Sequence, residues 1–133
     1  MPTGPIVPDT SAWVEFLRGT GSPAHERLRA FLRTPVPILT TEPVTMELLA
    51  GARNRAERDL IRRLVAGCEL APVAVGDWED AAALYRHMRG AGRTVRNMLD
   101  CLIAVVAMRN DAAVLHKDAD FDAIAEVAPL KIA

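Results

Sequence analysis

The chain of 133 residues has little cysteine, little lysine and no long apolar run, and each shortage excludes something. Its two cysteines, Cys68 and Cys101, lie far apart in helical patterns without C-x-x-C spacing. That argues against zinc and against a disulfide scaffold, and leaves them as reduced core or near-core thiols. No apolar stretch approaches the roughly 20 residues of a membrane span, so no membrane association is expected. Met1 to Pro8 carries no basic region and only a short apolar segment, which makes the cytoplasm the expected compartment. Internal repeats and low-complexity segments are also missing.

Hydrophobic residues supply 50% and charged residues 25%, the balance of a folded globular chain, and the length suits one domain over 1–133. A net charge of -1 gives no overall field for nucleic acid, but the charge is segregated. Residues 53–96 hold nine arginines against six acids, and residues 97–133 three bases against six acids. Arginine makes up 14 of the 16 basic residues. That bias suits bidentate phosphate contacts, although a GC-rich genome produces it with no function behind it.

The apolar pattern alternates short strand-like and longer helix-like segments. Pro5 to Pro8 reads as a strand, Thr10-Ser11 as caps for a helix through Leu17, and Ser22-Pro23 as the start of a second helix to Arg33. Pro37 to Thr40 is a strand, Thr41-Glu42-Pro43 opens a helix to about Gly51, and Arg55 to Gly67 is amphipathic. Leu70 to Val75 reads as a strand and Asp77 as the cap of a helix from Trp78 to about Gly90. Met98 to Met108 is apolar all round except for Asp100, the pattern of a helix buried on most sides. Ala112 to Leu115 is a strand, a short helix runs through Phe121 and Ile124, and Pro129 to Ile132 closes an edge. Such alternation predicts an α/β fold, a parallel sheet covered on both faces with ligands at the carboxyl ends of its strands.

Four carboxylates break apolar stretches: Asp9, Glu47, Asp100 and Asp118. An ionised carboxylate on a buried face costs several kcal/mol unless something compensates it. Asp9 and Asp118 each end a predicted strand, so a parallel sheet brings both to one rim. Taken separately, Asp9 and Asp118 are also helix caps and Asp100 a partner for Arg96. That account leaves Glu47 and Asp100 unexplained inside helices, whereas a shared divalent cation accommodates all four, carboxylate oxygens being hard ligands for Mg2+ or Mn2+.

Asp9-Thr10-Ser11-Ala12-Trp13, Glu47 in M-E-L-L-A-G, Asp100 in D-C-L-I-A and Asp118-Ala119-Asp120-Phe121 together resemble the PIN-domain family, and more narrowly its VapC-type toxins. The resemblance implies a three-layer α/β/α sandwich with a central, mostly parallel sheet. It implies a metal-dependent endoribonuclease that cuts RNA (tRNA, rRNA or mRNA), with Asp9, Asp100 and Asp118 at Mg2+ or Mn2+ and Glu47 as a second-site ligand or proton acceptor. Thr10, Ser11 and Asp120 are supporting residues, with a hydroxyl orienting the first aspartate or a metal-bound water. A cognate VapB-type antitoxin and a homodimer are implied as partners. Arg93 and Arg96, just before the Asp100 helix, are the candidate RNA contacts. Trp13, Val14 and Leu17 are either core or part of an antitoxin groove. His116 stands where the family often has a small hydroxyl residue and is expected to be a hydrogen-bonded structural histidine. Pro8 removes a backbone donor beside Asp9, so either the strand ends early or a neighbour tolerates the gap.

Other readings are a non-cleaving PIN-like module that binds RNA or protein, a phosphatase using Asp9 as nucleophile, and a receiver-type domain. The phosphatase lacks its usual second acid, since Ser11 stands there, and the receiver has its acids in another order.

Overall fold

Short parallel strands and helices alternate along residues 4–133, the part of the chain that the computed structural model describes. Met1 to Thr3, the start of the stretch considered for a leader, lie outside the described residues. The strands are β1 (Ile6–Pro8), β2 (Leu39–Thr40), β3 (Glu69–Leu70), β4 (Ala113–Leu115) and β5 (Lys131–Ile132). The helices are α1 (Thr10–Arg18), α2 (Pro23–Phe31), α3 (Glu42–Ala50), α4 (Arg55–Ala66), α5 (Val75–Gly90), α6 (Met98–Arg109) and α7 (Ala119–Val127). Strand β4 lies between β1 and β5, β2 pairs with β3, and the bridge Ile6 to Ile38 joins the two groups. All pairings are parallel, giving the order β3-β2-β1-β4-β5.

The strands are buried at the centre and exposed at the edges. Ile6, Val7, Val114 and Leu115 are at most 1% exposed, while β3 and β5 are open to solvent. Eight consecutive residues of α6, Asp100 to Ala107, are buried, as its unbroken apolar sequence predicts. Met98 at its first position is exposed. Cys101 is buried, Cys68 is half-buried, and both are free thiols.

Pro8 is accommodated by its neighbours. Successive N–H groups along a strand point to opposite sides, so residues 6 and 8 share one. Ile6 donates to Pro37 O on the β2 side (3.0 Å) and Asp9 to Leu115 O on the β4 side (3.0 Å). The donor that proline lacks therefore falls on the β2 side, where a single bridge forms, and the β1–β4 ladder that carries Asp9 is intact.

Two boundaries differ from expectation. The strand expected over Leu70 to Val75 is only Glu69–Leu70, and α5 begins at Val75 rather than Trp78. Asp77 is thus the third residue of α5, not its cap. Its Oδ2 accepts the N–H of Ala74 (2.8 Å), and the carboxylate is clamped by Arg109 through Nε to Oδ1 (3.0 Å) and Nη2 to Oδ2 (2.9 Å). The same Nη2 donates to Pro72 O (2.7 Å), so tertiary bonds hold residues 72–77 off the sheet edge. Local apolar pattern could not reveal a partner 32 residues away.

Arg109→Met should cost about 2–3 kcal/mol in denaturant unfolding, less than a fully buried ion pair because the Arg109 side chain is 41% exposed. Adding Asp77→Asn should recover part of that loss.

Candidate active site

Pro8 lies opposite Leu115, so the carboxyl ends of β1 and β4 are adjacent and the chain leaves both at one rim. Asp9 follows β1, His116 to Asp118 follow β4, and the first turn of α6 brings Asp100. Asp9, Asp100 and Asp120 are 3%, 3% and 4% exposed. Carboxylate oxygens of Asp100, Asp118 and Asp120 lie within 4.8 Å of one another. Asp9 lies outside that trio, and its charge is the least of the influences that raise Asp100.

Two of these acids are also helix caps. Asp9, rather than the expected Thr10-Ser11, caps α1, its Oδ1 accepting the N–H of Ala12 (3.3 Å) and the hydroxyl of Ser11 (2.6 Å), while Thr10 and Ser11 are the first two helical residues. Ser11 Oγ in turn accepts the N–H of Lys117 (2.8 Å), which ties the end of β1 to the turn after β4. Asp118 caps α7, its Oδ1 accepting the N–H of Asp120 (2.9 Å). Each cap commits Oδ1 and fixes the side chain's direction.

Asp120 was expected as a supporting residue, and the structure sets it inside the carboxylate cluster. Its Oδ2 accepts the N–H groups of Arg96 (3.0 Å) and Asn97 (3.3 Å), so it also positions the entry to α6 and thereby Asp100. The D-x-D spacing was the available signal. Glu47 stands apart from the trio. It is half-buried on α3 and accepts the hydroxyl of Thr10 (2.9 Å), the residue next to Asp9.

Arg96 does not pair with Asp100. Its guanidinium faces Asp118 Oδ1 (3.5 Å) and Asp120 Oδ1 (3.6 Å). Arg93 pairs with Glu126 across to α7. His116 is a hydrogen-bonded structural residue, as expected. Its Nδ1 accepts the N–H of Asp118 (3.0 Å), which places the proton of the neutral ring on Nε2, the atom 3.1 Å from Asp122 Oδ1. Trp13 is core, whereas Val14 and Leu17 line a groove of about 160 Å³ with Leu48, Leu60 and Ile61, and Glu47 lies on its wall.

Burial pushes Asp9 up to about 6 against the bonds from Ser11 and Ala12, which favour its charge. Burial, then hydrogen bonding to Asp120 and the charge of Asp118, with Asp9 contributing least, push Asp100 up to about 9. Asp100 Oδ2 is buried without a hydrogen-bond partner. A buried oxygen so left is costly, and here it is surrounded by acceptors rather than donors. An all-oxygen donor set with an orphaned carboxylate oxygen fits a hard divalent cation.

A parallel α/β sheet whose carboxyl rim gathers buried, mutually repelling aspartates belongs to the class of acidic-site folds. Within that class, the chain belongs to the PIN domain family, whose model matches residues 6–127. Ribonuclease VapC11 of Mycobacterium tuberculosis is 44% identical over 130 residues, covering 96% of this chain and 97% of that protein. A VapC ribonuclease of Mycobacterium bovis matches to the same extent. Among solved structures, VapBC-5 of the VapBC toxin-antitoxin family from Mycobacterium tuberculosis superposes with a TM-score of 0.71 at 28% identity, covering 98% of both chains. VapBC2 from Rickettsia felis, bound to a promoter DNA fragment, gives a TM-score of 0.76 over 97% of both chains; at 14% identity that likeness concerns the fold.

The raised values of Asp9 and Asp100 have a definite sign. Each stabilises the folded metal-free chain below its ordinary value near pH 4, and that stability is lost as pH rises through about 6 and about 9. Melting temperature in EDTA should therefore fall from about pH 5 to about pH 9, and Asp100→Asn should flatten the slope and stabilise the metal-free protein by about 1–3 kcal/mol. A less stable Asp100→Asn would contradict the crowding.

Proposed function

We propose that the chain is the toxin of a type II toxin-antitoxin pair, an endoribonuclease that hydrolyses RNA phosphodiester bonds with Mg2+ or Mn2+ at the rim. The observation that carries this reading is Asp100, buried with Oδ2 unpartnered against Asp118 and Asp120. The names of the VapC ribonuclease relatives support the reaction class.

Asp9, Asp100 and Asp118 hold the ion, and Asp120 completes the acidic wall while fixing the α6 entry. When bound, the ion lowers the pKa of a coordinated water and stabilises negative charge on the phosphate. Ser11 holds Asp9 through Oδ1 and leaves its other oxygen to the site. Glu47, steadied by Thr10, serves as second-site ligand or proton acceptor. No side chain acts as a covalent nucleophile, and the products carry a 5'-phosphate and a 3'-hydroxyl. Arg93 and Arg96 hold the RNA backbone.

The partner is a cognate VapB-type antitoxin whose C-terminal segment lies in the groove beside Glu47, with a basic side chain toward the acids. The toxin itself forms a homodimer. The VapBC complexes among the structural neighbours support the pairing. Among the described residues no helix is long and apolar enough to cross a membrane.

Cleavage-site mapping on total RNA with Mg2+ or Mn2+ should show discrete cuts with 5'-phosphate ends, lost in EDTA. Asp9→Ala and Asp100→Ala should each lower the rate at least about 100-fold while the chain stays folded. A cyclic phosphate product would rule out the metal-dependent route, and RNA binding without cleavage in either ion would leave the non-cleaving module. Ser11→Ala, which leaves Asp9 Oδ1 only the N–H of Ala12, should lower the rate about 10-fold and weaken Mn2+ binding in parallel.

A further inference from the structure

Arg96 is built unlike the other cations around the rim. Lys117 is held by Glu15 at 2.6 Å, and Arg93 is held by Glu126. Among the described residues, only Arg96 directs its charge at the carboxylate cluster, toward Asp118 and Asp120. Its two ends are held differently. The backbone N–H is fixed to Asp120 Oδ2 at 3.0 Å, and that of Asn97 to the same oxygen at 3.3 Å. The guanidinium lies 3.5 and 3.6 Å from its carboxylates with the side chain 73% exposed, longer than the usual charge-assisted bond. The stem is anchored and the head is loose.

We propose that Arg96 is the resident counter-cation of the acidic site, displaced by the divalent ion and then free to grip the phosphate that the ion binds. This rests on the metal-dependent reading above. The guanidinium and the ion draw on the same two carboxylates, Asp118 and Asp120, and like charges so close together repel. With the Arg96 side chain 73% exposed and its contacts at 3.5 and 3.6 Å, the pairing is loose although Asp120 is buried, so the ion displaces it at modest cost. Once released, the head turns about a backbone that Asp120 keeps in place, and its planar fork suits two phosphate oxygens. Metal and RNA then favour each other's binding, because each removes a cost that the other would otherwise meet. Without metal, the arginine softens the repulsion among the acids.

The test is Mn2+ binding to the full-length, RNA-free chain, followed by the paramagnetic resonance signal of free Mn2+. Arg96→Gln keeps the backbone N–H that Asp120 accepts, and circular dichroism checks its fold. It should bind Mn2+ about three- to tenfold more tightly than the parent, and Arg96→Lys should stay near the parent. In Ca2+, Arg96→Gln should hold a phosphorothioate oligoribonucleotide about three- to tenfold more weakly. Unchanged or weaker Mn2+ binding by Arg96→Gln overturns the competition and leaves the metal site standing. Tighter Mn2+ binding with unaltered oligonucleotide binding overturns the phosphate grip. A parent chain with no saturable Mn2+ binding, or binding that survives Asp100→Asn, overturns this inference together with the metal-dependent reading.

Discussion

Repulsion among buried carboxylates is the constraint around which this fold is arranged. A comparison within the chain makes the point. Asp77 and Asp100 are almost equally buried, at 2% and 3% exposure, yet their environments are opposite. Asp77 meets a guanidinium fork and a backbone N–H, and the Arg109 contact holds it below the usual carboxylate range. Asp100 meets other acids and is driven far above it. The first is an acid that the protein has neutralised with its own atoms, and the second is one whose buried Oδ2 it leaves without a partner.

The fold brings the acids together by giving two of them a local duty. Asp9 and Asp118 cap α1 and α7, so each is held by the start of the helix that follows its strand. Because the strands are parallel neighbours, the two helix starts share a rim. Capping and a place at the acidic rim, which compete as explanations for a single residue, here share one geometry, each cap using Oδ1.

Much of this was legible in the sequence, because the signals were short-range or strongly periodic. The alternation of elements, the buried α6 and the acids at the ends of β1 and β4 follow from apolar pattern and capping chemistry. Tertiary contacts account for what was not legible. The β3–α5 junction departs from expectation because Arg109 binds Asp77 and Pro72. Asp120 gained importance through bonds to the backbone of Arg96 and Asn97, more than 20 residues away in sequence. Glu47 shares with Asp100 the pattern of an acid interrupting an apolar helix, but pattern alone does not show that its hydrogen bond goes to Thr10, beside Asp9, and that it lies outside the aspartate trio. Trp13, Val14 and Leu17 follow one another on one helix, yet only the fold separates the core tryptophan from the two groove residues.

Pro8 divides the sheet into unequal parts. On one side, β1, β4 and β5 form a continuous ladder that carries Asp9 and the turn leading to Asp118 and Asp120. On the other, β2 and β3 bring α3 and Glu47, joined across a seam of one bridge. Asp9 and the turn to Asp118 and Asp120 thus belong to the laddered side, while Glu47 belongs to the other, held to it by that bridge, by the packing of α3 on α1 and by the Thr10 hydroxyl. An imino acid beside the acidic rim marks the place where backbone pairing gives way to packing between the two walls.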